Sequence, residues 1–137
     1  MLFRSATTTT GTSVSAGTIS ASNLTASITP ISSSNKILVL ASGQLYTAGG
    51  TGGGLFLYRN GSLVFSPSSI DATNKVYQFY NISYQSATIN YLDSPATTSS
   101  TTYTVYFSCY TGTATFPYAS AGQSNATAVI QLLEIAG

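Results

Sequence analysis

From Tyr103 to Tyr110 the chain reads YTVYFSCY, and its side chains sort by parity: Tyr103, Val105, Phe107 and Cys109 against Thr104, Tyr106, Ser108 and Tyr110. A period of two is the mark of a β-strand with one face in a core. The second face is not water-loving either, since it carries two tyrosines. Upstream, ATINYLD reads as another strand, and Asp93-Ser94-Pro95 ends it. Pro95 has no N–H to donate and biases Ser94 away from the helical region. A loop of Ser and Thr joins the two strands. Such strands, apolar on one face and aromatic or small and polar on the other, recur along the whole chain and leave no room for a helix longer than a turn.

In order, Lys36 to Tyr46 (KILVLASGQLY) is the first long strand, with Ile37, Val39, Ala41 and Leu45 on one face and Leu38, Leu40 and Tyr46 on the other. Apolar on both faces at its start, it is expected to be central. Thr47 to Gly54 reads as a glycine loop. It lacks the Gly-Lys-Ser/Thr ending of a phosphate loop, which leaves a plain connection. Leu55 to Phe65 is a hairpin whose Asn60-Gly61 supplies the two positive-φ residues of a type I′ turn. Ser66 to Asn74 is a loop. Val76 to Tyr84 is a further strand, followed by Thr88 to Leu92, the strand already described, a short strand at Thr113 to Phe116, a small-residue loop at Ala119 to Asn125, and a final strand from Ala126 to Ile135. In that last strand Val129, Leu133 and Ile135 face one way and Ala128, Ile130 and Leu132 the other, so it is central or lies against another subunit. Roughly eight to ten strands at this spacing predict an all-β sandwich or barrel. Long strands joined by alternately short and long loops fit a jelly roll best.

Residues 1–27 read differently. From residue 5 to 29 the chain is mostly Ser, Thr, Ala and Gly with isolated apolar residues, and Val14, Ile19 and Leu24 recur every five positions, a spacing that suits neither helix nor strand. The expectation is an extended arm on a knob of residues 28–137. Either Val14, Ile19 and Leu24 pin it to a partner, or it is a flexible low-complexity tail.

Composition excludes more than it assigns. Charged residues are 5 % of the chain and the net charge is +1, with Arg4, Lys36, Arg59 and Lys75 scattered. No basic patch exists to track a phosphate backbone, so no nucleic-acid partner is expected. A small domain this close to neutral is poorly protected against self-association. No run of about 18 apolar residues exists, and Met1-Leu2-Phe3-Arg4 passes straight into Ser/Thr, so neither a membrane span nor a secretory signal is read. Histidine is absent and the carboxylates are Asp71, Asp93 and Glu134. That removes the commonest general base and metal ligand. Asp71 and Asp93 fall at turn positions, where Asp usually bonds its own backbone. The lone Cys109 falls on an apolar strand face and reads as a buried inert thiol. No catalytic, cofactor or metal site is therefore expected, and the protein is read as no enzyme.

Two features point to contact with another chain. Tyrosine occurs ten times, and Tyr80, Tyr84, Tyr106 and Tyr110, with Tyr77 and Tyr103, come from strands expected to be neighbours. This density suits a subunit interface, where rings pack and hydroxyls stay wet. A sugar-binding platform and plain cross-strand pairing are the alternatives. Glu134 stands in an apolar strand and cannot be buried unpaired; Arg59 or Lys75, within the chain or across an interface, is its expected partner. Tyr80, Tyr84, Tyr106, Tyr110, Ile130, Leu132 and Glu134 are the candidate interface residues.

The segments SITPISSSNKILVLASGQ, LFLYRNGS, YLDSPATTSSTTYTVYF and AVIQLLEIAG, in that order, resemble a knob domain of tailed bacteriophages, cyanophages especially. The likeness covers residues 27–137 and is most specific at Leu92-Asp93-Ser94-Pro95 and Leu133-Glu134-Ile135-Ala136. It implies a jelly-roll β-sandwich of the tumour-necrosis-factor type that assembles as a homotrimer. It also implies a virion structural protein, either a capsid decoration (cement) protein bound to the major capsid protein of the phage head, or a knob of a tail fibre that contacts other tail proteins or a host-surface glycan. A short arm before the knob favours decoration. A secreted lectin-like module is the third reading.

Overall fold

The computed structural model describes residues 1–48, 52–67, 78, 83–119 and 126–137. These form ten strands and no helix: β1 (Phe3–Thr8), β2 (Thr12–Ser15), β3 (Ser20–Ile28), β4 (Lys36–Ala48), β5 (Gly53–Arg59), β6 (Ser62–Phe65), β7 (Tyr84–Asp93), β8 (Thr101–Cys109), β9 (Thr113–Phe116) and β10 (Ala128–Ile135). They make two antiparallel sheets packed as a sandwich. One has six strands in the order β1-β10-β4-β9-β2, with β7 on the other edge of β4; the second has the order β3-β8-β5-β6.

The first long strand is central, as its two apolar faces require. Strand β7 pairs with β4 from Ile37 to Tyr46 along one edge. The other edge is shared, β10 taking Lys36 to Ser42 and β9 taking Tyr46 to Ala48. Gly43 sits where one partner hands over to the next. A Cβ there would stand 2.7 Å from the Phe116 ring and 2.8 Å from Ala128 Cβ, so only glycine leaves room for both strands. The Asn60-Gly61 turn joins β5 to β6 with φ of 48° and 82°. Its Asn60 also grips the start of β8, donating from its N–H to Thr102 O at 2.9 Å and accepting from Thr102 N at 2.8 Å. Gly53 and Gly54, read as loop, are the first two residues of β5. At Gly53 a Cβ would lie 2.9 Å from Ser108 O, so the glycine is spent on close strand packing.

The core is built from alternating inward residues of both sheets: Ile37, Val39, Ala41 and Leu45 of β4, Tyr103, Val105, Phe107 and Cys109 of β8, and Ile130 and Leu132 of β10 all lie within it. The parity expected for β8 holds at every inward position. Cys109 is buried, and burial pushes its thiol pKa up.

The separate arm is corrected. Residues 1–28 form β1, β2 and β3, which pair with β10, β9 and β8. Val14 and Leu24 belong to the core, and Ile19 is half-buried beside β3. Strand β3 does alternate, but its inward residues include Ser22, whose hydroxyl donates to Val105 O at 2.7 Å. A register shift between Ala21 and Thr25 further breaks the pattern. Ser22 and Ala26, which alternate with the large inward residues Leu24 and Ile28, are together with that shift why apolar alternation is hard to see in this stretch.

A second correction concerns β10. Ile130 and Leu132, expected at a subunit interface, are fully buried inside the sandwich, and Glu134, expected there with them, is also buried within the chain. The expected strand from Val76 lies outside the described residues up to Tyr84, apart from Gln78 and Ser83, as do Asp71, Lys75, Tyr77, Tyr80, the loop 120–125 and residues 49–51 of the glycine loop.

Candidate interaction surface

The outward face of the six-stranded sheet is set by the residues between the core positions. Register brings Phe3 opposite Leu133, Leu133 opposite Leu38, and Leu38 opposite Leu92. Four large apolar side chains from β1, β10, β4 and β7 thus stand in one row across the sheet. Phe3 is 45 % and Leu92 47 % exposed, while Leu38 and Leu133 are half-buried. Cross-strand neighbours this close shield one another without removing the row from water.

At the other end of the same face is a tyrosine cluster. Tyr46 and Tyr84 are opposite in register with ring centroids 4.9 Å apart. Tyr118 stacks on Tyr46 at 4.4 Å and tilts against Tyr84 at 5.6 Å. The Tyr118 N–H donates to Gln44 O at 2.9 Å, which pins the ring over β4. Burial, then the hydrogen bond and proximity to Tyr84, pushes the Tyr118 phenol up. Between the two ends smaller residues leave a shallow depression of about 320 Å³ lined by Leu40, Ser42, Thr88, Asn90, Val129 and Gln131. None of these outward residues is charged; Lys36, opposite Ile135, stands at the rim.

The tyrosines singled out from sequence do not share one surface. Tyr84 is on this face. Tyr106 is on β8 of the other sheet, stacked on Tyr58 at 3.9 Å, and Tyr110 is half-buried just beyond β8. Tyr103 is in the core. Tyr46 and Tyr118 were missed as members of the cluster. The parity of β4 does carry Tyr46 onto the Leu38–Leu40 face, but which strands flank it cannot be read from one strand.

Two carboxylates close one end of the sandwich. Asp93 does not bond its own turn. It accepts from Arg59 Nη1 at 2.8 and 3.0 Å and from the Tyr103 hydroxyl at 2.7 Å. This ion pair ties β7 of one sheet to β5 and β8 of the other. Burial, then the bond to Asp93, pushes the Tyr103 phenol far up.

Glu134 is therefore not paired with Arg59, and Lys75 lies outside the described residues. The Glu134 side chain is 2 % exposed. Its Oε1 accepts at 2.7 Å from both the Ile31 N–H and Asn35 Nδ2. The Asn35 amide holds the carboxyl below its ordinary range, against the opposing effect of burial. The Ile31 and Ser32 N–H groups and the Met1 α-ammonium pull the same way as Asn35, Ser32 without forming a hydrogen bond of good geometry. The expectation that Glu134 is buried holds; its partners are neutral donors of the β3–β4 loop.

Comparison with known proteins finds no protein-family model that matches the chain and no curated protein that matches it.

Proposed function

We propose that the protein is a non-enzymatic structural component of a phage virion, a homotrimeric jelly-roll knob that decorates the head. The observation that carries the reading is the outward face of the six-stranded sheet: an in-register apolar row, a tyrosine cluster and no charge between them. Such a face suits contact with copies of the same neutral chain, since nothing on it repels a second copy. With β2 and β9 set aside, four strands stand in each sheet, the number a two-sheet jelly roll of eight strands distributes. The resemblance in segment order supplies the virion.

Location on the tail is the second reading, and one observation favours it. Residues 1–28 are taken up in both sheets, so the free arm that spoke for the head is gone. Attachment then runs through knob surfaces, as it would for a tail knob. Sedimentation equilibrium tests the trimer, and a monomer at micromolar concentration overturns it. Quantitative mass spectrometry of purified virions tests the location: hundreds of copies per particle support head decoration, a handful support the tail. Strong glycan binding by a protein missing from particles would support the lectin-like reading instead.

A further inference from the structure

Next to the end of β10 the surface holds a cavity of about 220 Å³ lined by Met1, Ile31, Asn35, Glu134, Ile135 and Ala136. Its walls are apolar, and three of them are open to solvent: Met1 is 91 %, Ile31 71 % and Ile135 37 % exposed. Its polar side chains are Asn35 and Glu134. Asn35 is used at both ends, Nδ2 donating to Glu134 Oε1 and Oδ1 accepting from Gly137 N at 3.3 Å. Glu134 is used at one end only; Oε2 is buried without a hydrogen-bond partner among the described residues.

The charge also lacks an ion-pair partner among the described residues. Arg59 is committed to Asp93. Arg4 Nη1 donates to the carbonyl of Phe3. The Met1 α-ammonium acts on Glu134 from beyond ion-pair distance. Buried carboxylates are as a rule paired with a cation or a metal, yet among the described residues no cation lies within 4.0 Å of this one. An acceptor oxygen without a hydrogen-bond partner, on a cavity lined mostly by apolar side chains, selects a particular shape of donor. A guanidinium presents a planar fork and needs two acceptors side by side. A primary ammonium on an aliphatic stem needs one, and its stem packs on apolar walls.

We propose that this cavity is a binding site for a primary alkylammonium group, the side-chain end of a lysine on a partner protein, with Glu134 Oε2 as the acceptor and Met1, Ile31 and Ile135 packing on the stem. The site does not depend on the face proposed above for self-association, and it fails or stands separately from the virion reading.

The test uses the full chain with n-butylammonium as the probe and n-butanol as the uncharged control, read by two-dimensional amide NMR. Saturable shifts are expected at the Ile31 and Ser32 N–H groups and the Asn35 side-chain amide with butylammonium and not with butanol. In Glu134→Gln, which keeps the shape, binding should weaken at least about tenfold. Ile31→Lys, at an exposed position, supplies an ammonium from the chain itself; it should raise the melting temperature and abolish butylammonium binding even if Glu134→Gln fails to fold. Equal shifts with butanol, or no shifts with butylammonium, overturn the proposal. Butylammonium binding that emerges only in Lys75→Ala would overturn it too, since the chain's own lysine would then be the occupant.

Discussion

Asp93 and Glu134 stand in one row of the six-stranded sheet, on either side of Ile37, yet they do different work. Asp93 joins the two sheets through Arg59 and Tyr103; Glu134 gathers the loop between β3 and β4. Asp93→Asn leaves the Arg59 guanidinium without its counter-charge. The expected loss is about 3 kcal/mol, the low end for a buried pair because the Arg59 side chain is 29 % exposed. Tyr103→Phe removes a buried hydrogen bond to a charged group and should cost about 1.5–3 kcal/mol. Urea unfolding measures both, and losses below half a unit in each would mean that the cluster opens in solution. Glu134 carries a pH dependence with a definite sign. Its folded-state pKa lies below the ordinary value of 4.5, so its contribution is complete above the unfolded value and is lost as pH falls through the folded one. The melting temperature should therefore drop on acidification below that range, and drop less in Glu134→Gln. Identical acid slopes would clear Glu134 of the effect. The sequence placed an acid in an apolar strand correctly but could not choose its partner. Loop geometry brings Ile31 and Asn35 within 2.7 Å of a residue about a hundred positions away, and no local pattern encodes that.

At the scale of elements, β1, β2 and β3 are structural parts of the sandwich. Deletion of residues 1–27 would strip the free edges of β10, β9 and β8 and remove Val14 and Leu24 from the core. The expected product is unfolded, judged by circular dichroism and loss of amide dispersion; a folded knob would restore the arm as a separate unit. Leu24→Ala, at a fully buried position, should cost about 2–5 kcal/mol. Gly43 belongs to the same argument. A methyl group there meets Phe116 and Ala128 at less than contact distance, and overpacking of this kind costs about 1–3 kcal/mol. Gly43→Ala should lower stability by that amount, although alanine usually suits a strand no worse than glycine.

For the whole molecule, the question is what covers the outward face of the six-stranded sheet. Phe3→Glu together with Leu92→Glu places two like charges per chain in the apolar row at sites that are almost half exposed. The doubly substituted chain should keep its β-sheet circular dichroism and sediment as a monomer, because burying an unpaired carboxylate at an interface is strongly unfavourable. A trimer that survives both substitutions would move the interface elsewhere, and the Tyr58–Tyr106 face of the other sheet is the next place to look.

What the sequence determined by itself is the class of fold and much of its wiring. Alternation at Lys36–Tyr46 and Tyr103–Cys109, the Asn60-Gly61 turn and the Pro95 stop are local signals, and a period of two or a positive φ needs no distant partner to be read. The tertiary structure alone decided which side chains meet. Phe3, Leu38, Leu92 and Leu133 become one row only through the register of four strands that are far apart in the chain, and Tyr46, Tyr84 and Tyr118 become one cluster in the same way. The inclusion of residues 1–28 was decided there too. Their large apolar inward residues, Val14, Leu24 and Ile28, are few and stand among small or polar ones such as Ser22 and Ala26, so each strand offers too little apolar alternation to announce itself, and the β8, β9 and β10 edges supply the hydrogen-bond partners that complete it.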